Sequence, residues 1–332
     1  MSERPSVETS QPEHKEHEPK INYHFLYGAH RTAEDFSNLE EAFKKADIYV
    51  PEMVGWKPKT KELFQAVSDG IILPEQAVED KNSFWFQELK AMYGSQKPIL
   101  FVDISVEDRE ILKRKEQKDK DGERAFTAFL NGRFFESFKL MRAYVENFAD
   151  LQLERENKIK ENLGKYIKSF LENNPDYSNR ELNVLISLGG MHTPLYHRLR
   201  GEGRSVSREF NKPLMVYSSL HEARRGRQFF KKTIDDELLA HGIIENFLAY
   251  DFFPITDDTN KAIWAARKLS SKLNLKDIQE ISEKAGENNG KIDIVQELEA
   301  RGIKVPKTEE EIDKLIHKNI LDEEGPKDYP RN

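Results

Sequence analysis

Two stretches of this sequence end in the same way, INYHFLYGAHRT at residues 21–32 and LNVLISLGGMHTP at residues 182–194. In each, a run of largely apolar residues stops at a glycine, a histidine follows, and a threonine suited to cap a helix comes next. Each stretch therefore predicts a β-strand that turns into a helix. Because ligands in open α/β sheets bind at the carboxyl ends of the strands, we expect His30 and His192 to meet in one pocket.

Further apolar runs alternate with helical patterns along the chain. They predict strands at 47–50, 97–103, 182–188 and 213–217, with helices at 33–45, 60–67 and 83–93, and a long helical region at 106–173 broken near 121–122 and 131–132. This alternation predicts an α/β fold with a mostly parallel central sheet flanked by helices, a long helical insertion and a C-terminal helical appendage.

The ends of the chain differ from its centre in composition. Residues 1–20 are charged and rich in proline, with too little apolar surface to offset the entropy of ordering, so we expect a disordered tail. An α/β domain is expected at 21–255 and the helical appendage at 256–320, where it serves packing, self-association or contact with a protein partner. Residues 321–332 are expected to form a loose tail.

The composition of the 332 residues narrows the chemistry. There is no cysteine, which excludes disulfides and thiolate nucleophiles, so any metal must be held by His, Asp or Glu. A net charge of −7 argues against a nucleic-acid partner. Because the start lacks a signal-peptide core and no long apolar stretch follows, we expect a soluble, cytoplasmic protein without a membrane partner. Walker and Gly-x-Ser-x-Gly sequences are absent.

Two carboxylates also stand at expected strand ends, Glu52 after the second strand and Asp103 after the third. If these strands are neighbours, His30, Glu52, Asp103 and His192 meet at one edge of the sheet and form a candidate site for divalent manganese, cobalt or zinc, with a position left for water. The alternatives are hydrogen-bonded structural histidines, a capping or ion-paired Glu52, and an Asp103 that belongs to the loop before a helix.

Arginines provide the candidate anion-binding groups. Arg155 lies within a predicted helix, where it either holds a carboxylate or oxyanion in the pocket or is plain surface charge. Residues 196–227 carry eight basic and three acidic side chains. This basic segment is either a rim that attracts an anionic substrate or a solvated helix face.

The order of these motifs resembles a known superfamily. Gly28-Ala29-His30 after a first strand, then Ala46 to Glu52, then Glu154-Arg155-Glu156-Asn157, then Leu188 to His192 are similar to TraB/PrgY, Tiki, ChaN and the erythromycin esterases. The resemblance covers about residues 21–220 and implies a mostly parallel α/β fold with a pocket built from two glycine-histidine turns and a glutamate. It matches His30 and His192 to the two histidines, Glu52 to the acidic residue and Arg155 to the arginine of the helical motif.

Two functional hypotheses follow. Members of this superfamily include metalloprotease-like proteins, ester hydrolases and haem binders, so the first hypothesis is a cytoplasmic, TraB-like hydrolase that cleaves a peptide, amide or ester, with or without metal. Its catalytic residues would be His30, Glu52, His192 and Arg155. The alternative is a ChaN-like module that binds haem or another small ligand, or regulates a partner, without turnover.

Overall fold

A computed structural model describes residues 19–28, 38–81, 83–211, 216–256 and 258–322, with side chains described up to residue 316. The expected N-terminal tail up to residue 18, the turn with His30 and most of the expected C-terminal tail lie outside these ranges. Residues 213–215 of the expected fifth strand also lie outside them, and residues 216 and 217 have no strand structure.

The described residues contain one four-stranded sheet. Its strands are β1 (Ile21–Gly28), β2 (Ile48–Val50), β3 (Leu182–Gly189) and β4 (Ser205–Phe210), in the order β2-β3-β1-β4. All three pairings are parallel, which confirms the predicted class. Gly28 lies opposite Gly189 in the β1–β3 register, so the two strands end side by side.

Two strand predictions need correction. The segment 97–103 is not a regular strand: it forms an isolated parallel bridge between Ile99 and Tyr49, because β2 offers only three residues and Pro98 has no N–H to donate. The second error is β4, which the sequence pattern did not indicate. Its residues are mostly polar and exposed, as an edge strand allows, so the apolar run that marks a buried strand is missing.

Thirteen α-helices occur in the described part of the chain. They are α1 (Leu39–Lys45), α2 (Pro58–Ser68), α3 (Pro74–Ala77), α4 (Phe84–Met92), α5 (Arg109–Leu130), α6 (Phe134–Asn173), α7 (Thr193–Gly201), α8 (Ser219–Phe230), α9 (Asp236–Phe252), α10 (Thr259–Ser270), α11 (Leu275–Glu287), α12 (Ile294–Ala300) and α13 (Glu309–Asp322). No helix there combines the length and apolar composition of a membrane span.

The long helical insertion forms a hairpin of α5 and α6. The predicted break at 131–132 is confirmed, because Gly132 turns the chain with a positive φ of 74°. The predicted break at 121–122 is wrong, since α5 runs through both residues. Gly122 instead lets α5 approach α6 closely: a Cβ atom there would lie 3.0 Å from the Tyr144 ring.

Three apolar clusters fill the interior. One lies between the sheet and helices α6 and α7, and a second lies on the other face of the sheet under α1, α2 and α4. The third contains no strand residue and joins α5, the first half of α6, and α8 to α13. The C-terminal helices thus share one apolar core with the insertion hairpin.

Gly286 of α11 fixes the contact between the C-terminal helices and the hairpin. A Cβ atom at this position would lie 2.9 Å from the backbone of Gly132. We expect Gly286→Ala to destabilise the protein by roughly 1–3 kcal/mol, because backbone atoms cannot move aside as a flexible side chain can.

Gly164 of α6 is the matched control, since a methyl group added there would have no neighbouring atom within 4 Å. Gly164→Ala should stabilise by about 0.5–1 kcal/mol through helix propensity. Urea titrations of both variants measure this difference, and shifts of the same sign would contradict it.

Candidate functional site

The candidate site lies at the carboxyl ends of β1, β2 and β3. β2 ends at Val50, and Glu52 follows two residues later, while β3 continues through a single 3-10 turn that carries His192 and leads into α7. Gly28, at the end of β1, lines the same cleft. His30 comes two residues after Gly28, outside the described residues, so its distance from His192 stays a prediction.

Glu52 and His192 are in direct contact. His192 Nε2 lies 3.2 Å from Glu52 Oε1, and the backbone N–H of Gly189 donates to Glu52 Oε2 at 2.5 Å. On its other side, His192 Nδ1 lies 3.8 Å from Glu156 Oε1, and Gln152 Nε2 lies 3.0 Å from both ring nitrogens. The imidazole is thus held between two carboxylates, with only 2% of its side chain exposed.

Arg155 projects from α6 into the same site and pairs with both strand-end carboxylates. Its Nε donates to Asp103 Oδ1 at 2.8 Å, and one terminal nitrogen, Nη2, donates to Asp103 Oδ2 at 2.5 Å and to Glu52 Oε1 at 2.6 Å. The structure therefore brings together four of the five predicted site residues, and the fifth, His30, is not described. Arg155 thus connects two carboxylates, with 14% of its side chain exposed, and is not plain surface charge.

Burial and neighbouring charges shift the pKa values of two groups in this site, Arg155 and Glu156. Burial alone would lower the pKa of Arg155, but Asp103 and Glu52 raise it above its ordinary value, so the guanidinium stays charged. Burial raises the pKa of Glu156, while His192 and Arg198 oppose that rise. Arg198 donates to Glu156 Oε2 at 2.7 Å and Gln228 donates to its Oε1 at 3.0 Å.

These side chains open onto a cleft of about 460 Å³. Glu52, Gln152, Arg155 and His192 are among its lining residues. Its other lining residues include the aromatic side chains of Trp85, Phe148 and Tyr217 and the imidazole of His221. Glu52 is the more accessible of the pair, with 18% of its side chain exposed against 2% for His192.

Several residues of this site were missed from the sequence. Gln152 and Glu156 lie one helical turn apart on α6, at spacings of three and one from Arg155, so the helical motif contained the signal. His221 comes from α8, and its Nδ1 lies 2.7 Å from Ser218 Oγ. No sequence pattern indicated His221 as a site residue, because its approach to the cleft depends on how α8 packs against α6 and α9.

Among the predicted metal ligands, Asp103 is not free to bind a cation. Both oxygens of Asp103 accept hydrogen bonds from Arg155, and Oδ1 also accepts from the Ile104 backbone N–H. The guanidinium thus occupies the position between Asp103 and Glu52 where a shared cation would lie. Within the described ranges, which omit His30, no group of three or more histidine or carboxylate side chains is arranged to hold a metal ion.

The basic segment does not form one continuous rim. Arg198 pairs with Glu156 and Asn157, Arg208 stacks on Tyr196, and Arg224 is buried against Tyr144. Arg225, by contrast, lies over the ring of Tyr217, a residue that lines the cleft. The segment is therefore divided between structural contacts and a smaller basic surface beside the site.

No protein-family model, no curated protein and no solved structure matches this chain.

Proposed function

We propose that the cleft is the active site of a hydrolase that cleaves a peptide, amide or ester. The observation that carries the proposal is the contact between His192 and Glu52 at the wall of an open cleft, with the charged Arg155 beside them. An imidazole that touches a carboxylate can take a proton from water and later return it, which is the central requirement of acyl hydrolysis.

In this scheme, His192 accepts a proton from a water molecule as the water oxygen bonds to the substrate carbonyl carbon. Glu52 holds the ring and stabilises the imidazolium that forms, and Gly189 and Arg155 hold Glu52 in turn. The proton then moves from His192 to the leaving nitrogen or oxygen as the carbon–heteroatom bond breaks. No outside reactant beyond water is needed.

Arg155 stabilises the negative charge that develops on the substrate carbonyl oxygen in this scheme. Its Nε and Nη2 are used by Asp103 and Glu52, whereas Nη1 makes no hydrogen bond within the described residues. Because Arg155 lines the cleft, Nη1 can donate to the carbonyl oxygen as it becomes an oxyanion. A divalent metal held by His30, Glu52 and His192 would supply a more acidic water, but no step above depends on one.

Activity measurements on variants of His192 and Glu52 test this proposal. Probes are p-nitrophenyl acetate and butyrate as esters, and a library of fluorogenic peptide amides. We expect His192→Ala and Glu52→Gln each to lower kcat/KM by about 100-fold or more, because the first removes the group that transfers the proton and the second removes the charge that stabilises the imidazolium. The controls are His197→Ala on the exposed side of α7 and Glu161→Gln on the exposed side of α6.

Different outcomes separate the hypotheses. Full activity in His192→Ala or Glu52→Gln would refute the assignment. Stoichiometric manganese, cobalt or zinc that is lost in both variants would make the enzyme metal-dependent. An inactive protein that takes up haem, with a Soret band lost in His192→Ala, would favour the ligand-binding alternative.

A further inference from the structure

A second cavity adjoins the candidate active site. It has a volume of about 860 Å³ and lies between α8 and α10. Val216 and Tyr217 line both this cavity and the catalytic cleft. We call it the α8–α10 groove, and it opens beside the cleft across the Tyr217 side chain.

The groove is strongly basic in an acidic protein. Four cationic side chains line it, against one acidic side chain, Glu222, whereas the whole chain has a net charge of −7. The four cations are Arg225, Lys232, Arg267 and Lys268. Glu222 pairs with Arg267, so its carboxylate offsets the charge of that arginine.

Two of these cations are available to a ligand. Within the described residues, no carboxylate lies within salt-bridge distance of Arg225 or Lys232, whose side chains contact aromatic rings instead. The Arg225 guanidinium lies 4.2 Å from the centre of the Tyr217 ring, and Lys232 Nζ lies 5.3 Å from that of Phe230. These contacts hold the charges beside the groove without neutralising them.

Aromatic rings lie next to the cations of the groove. Tyr217, Phe230 and Trp264 all line the groove, and Phe230 is 70% exposed. Trp264 and Lys268 lie one turn apart on α10, with the ammonium 5.1 Å from the ring centre. Flat aromatic faces next to cations are the combination that binds nucleobases and phosphates together.

From this combination, we propose that the α8–α10 groove binds a phosphorylated ligand with an aromatic ring, of the nucleotide class. The phosphates would lie against Arg225 and Lys232, and the base would stack on a ring of the groove, either the exposed Phe230 or the partly buried Trp264. An acidic peptide would match the charge but would place no flat ring against the aromatic side chains. The inference does not depend on hydrolysis in the cleft.

Titration with ADP, followed by calorimetry, tests the inference. We expect ADP to bind at one site and to bind more weakly as salt is raised, because salt screens the groove. Arg225→Gln and Lys232→Gln should each raise the Kd roughly tenfold, which corresponds to the loss of one charge-assisted hydrogen bond. Arg200→Gln, an exposed arginine of the same basic segment outside the groove, is the matched control and should leave the Kd unchanged.

Partial ligands and an active-site variant complete the test. Adenosine and inorganic tripolyphosphate should each bind more weakly than ADP, since each lacks one half of the recognised structure. His192→Ala should bind ADP as the wild type does, which separates this inference from the proposed hydrolase. The inference is overturned if ADP does not bind, if either groove variant binds it normally, if adenosine or tripolyphosphate binds as tightly, or if only a glutamate-rich peptide binds.

Discussion

Replacing Arg155 by leucine is expected to destabilise the protein by about 3–5 kcal/mol, because the change leaves buried carboxylates without their counter-charge. Asp103 is 2% exposed and receives two hydrogen bonds from Arg155, and the Glu52 side chain is only 18% exposed. Two negative charges would then repel each other in a region that water reaches poorly. Urea denaturation followed by circular dichroism measures the loss of stability.

An exposed ion pair between α5 and α6 serves as the control for Arg155→Leu. Arg114 of α5 pairs with Glu154 of α6 at 2.5 Å, with about half of each side chain in water (46% and 43%). Arg114→Leu should cost less than about 1 kcal/mol, since solvent screens that pair. The double variant Arg155→Leu/Asp103→Leu should recover part of the loss by removing one unpaired carboxylate. Equal costs for Arg155→Leu and Arg114→Leu would contradict the role given to Arg155.

The second large effect concerns Glu88, a buried carboxyl group of α4. Burial raises the pKa of Glu88 to about 8, and the nearby Glu52 adds to the rise, while a hydrogen bond from the Tyr49 hydroxyl opposes it. The other oxygen, Oε2, has no hydrogen-bond partner within the described residues. A protonated carboxyl group suits this environment better than a charged one, because it costs less to bury.

This shift makes stability depend on pH in a definite direction. The ordinary pKa applies in the unfolded chain, so between pH 4.5 and about 8 the folded protein holds a proton that the unfolded chain releases. The stability contributed by Glu88 is therefore complete below pH 4.5, falls as pH rises through this window, and changes no further above it. A shift from 4.5 to about 8 corresponds to about 5 kcal/mol.

Glu88→Gln isolates this contribution, because the amide resembles the neutral acid and cannot ionise. We expect the variant to match the wild type in free energy of unfolding at pH 4.5 and to exceed it by several kcal/mol at pH 8.5. Glu75→Gln, an exposed position on α3, should show no such divergence. Parallel curves of stability against pH for the wild type and Glu88→Gln would show that Glu88 is charged in the folded protein.

The candidate site was predictable to the extent that it lies at strand ends. Glu52 and His192 follow apolar runs, and the ends of parallel neighbours meet at one edge of a sheet, so their contact could be expected. Arg155 was a candidate because of the resemblance to the superfamily, since helical spacing alone cannot distinguish a buried arginine from a surface one. The pairing of Arg155 with Asp103, which turns a predicted metal ligand into the partner of a guanidinium, depended on the position of α6 above the sheet.

The groove beside the site depends still more on tertiary structure. Arg225 belongs to the basic segment, but Trp264 and Lys268 lie in the C-terminal region, where the sequence indicated helices without chemistry. The packing of α8 and α10 against α9 brings these residues together. Contacts of that kind join positions far apart in the chain, and a periodic pattern carries no information on which helix packs against which.

The amino-acid sequence by itself determined the class of this fold and the edge of the sheet at which the candidate site lies, because strand periodicity, glycine turns and parallel alternation are local properties of the chain. Only the tertiary structure decided which charges meet there. An ion pair between Arg155 and two carboxylates, or a raised pKa of Glu88 beside Tyr49, requires atoms from separate elements to be buried within hydrogen-bonding distance. That burial is a property of the packed molecule, and it sets the electrostatics of the site.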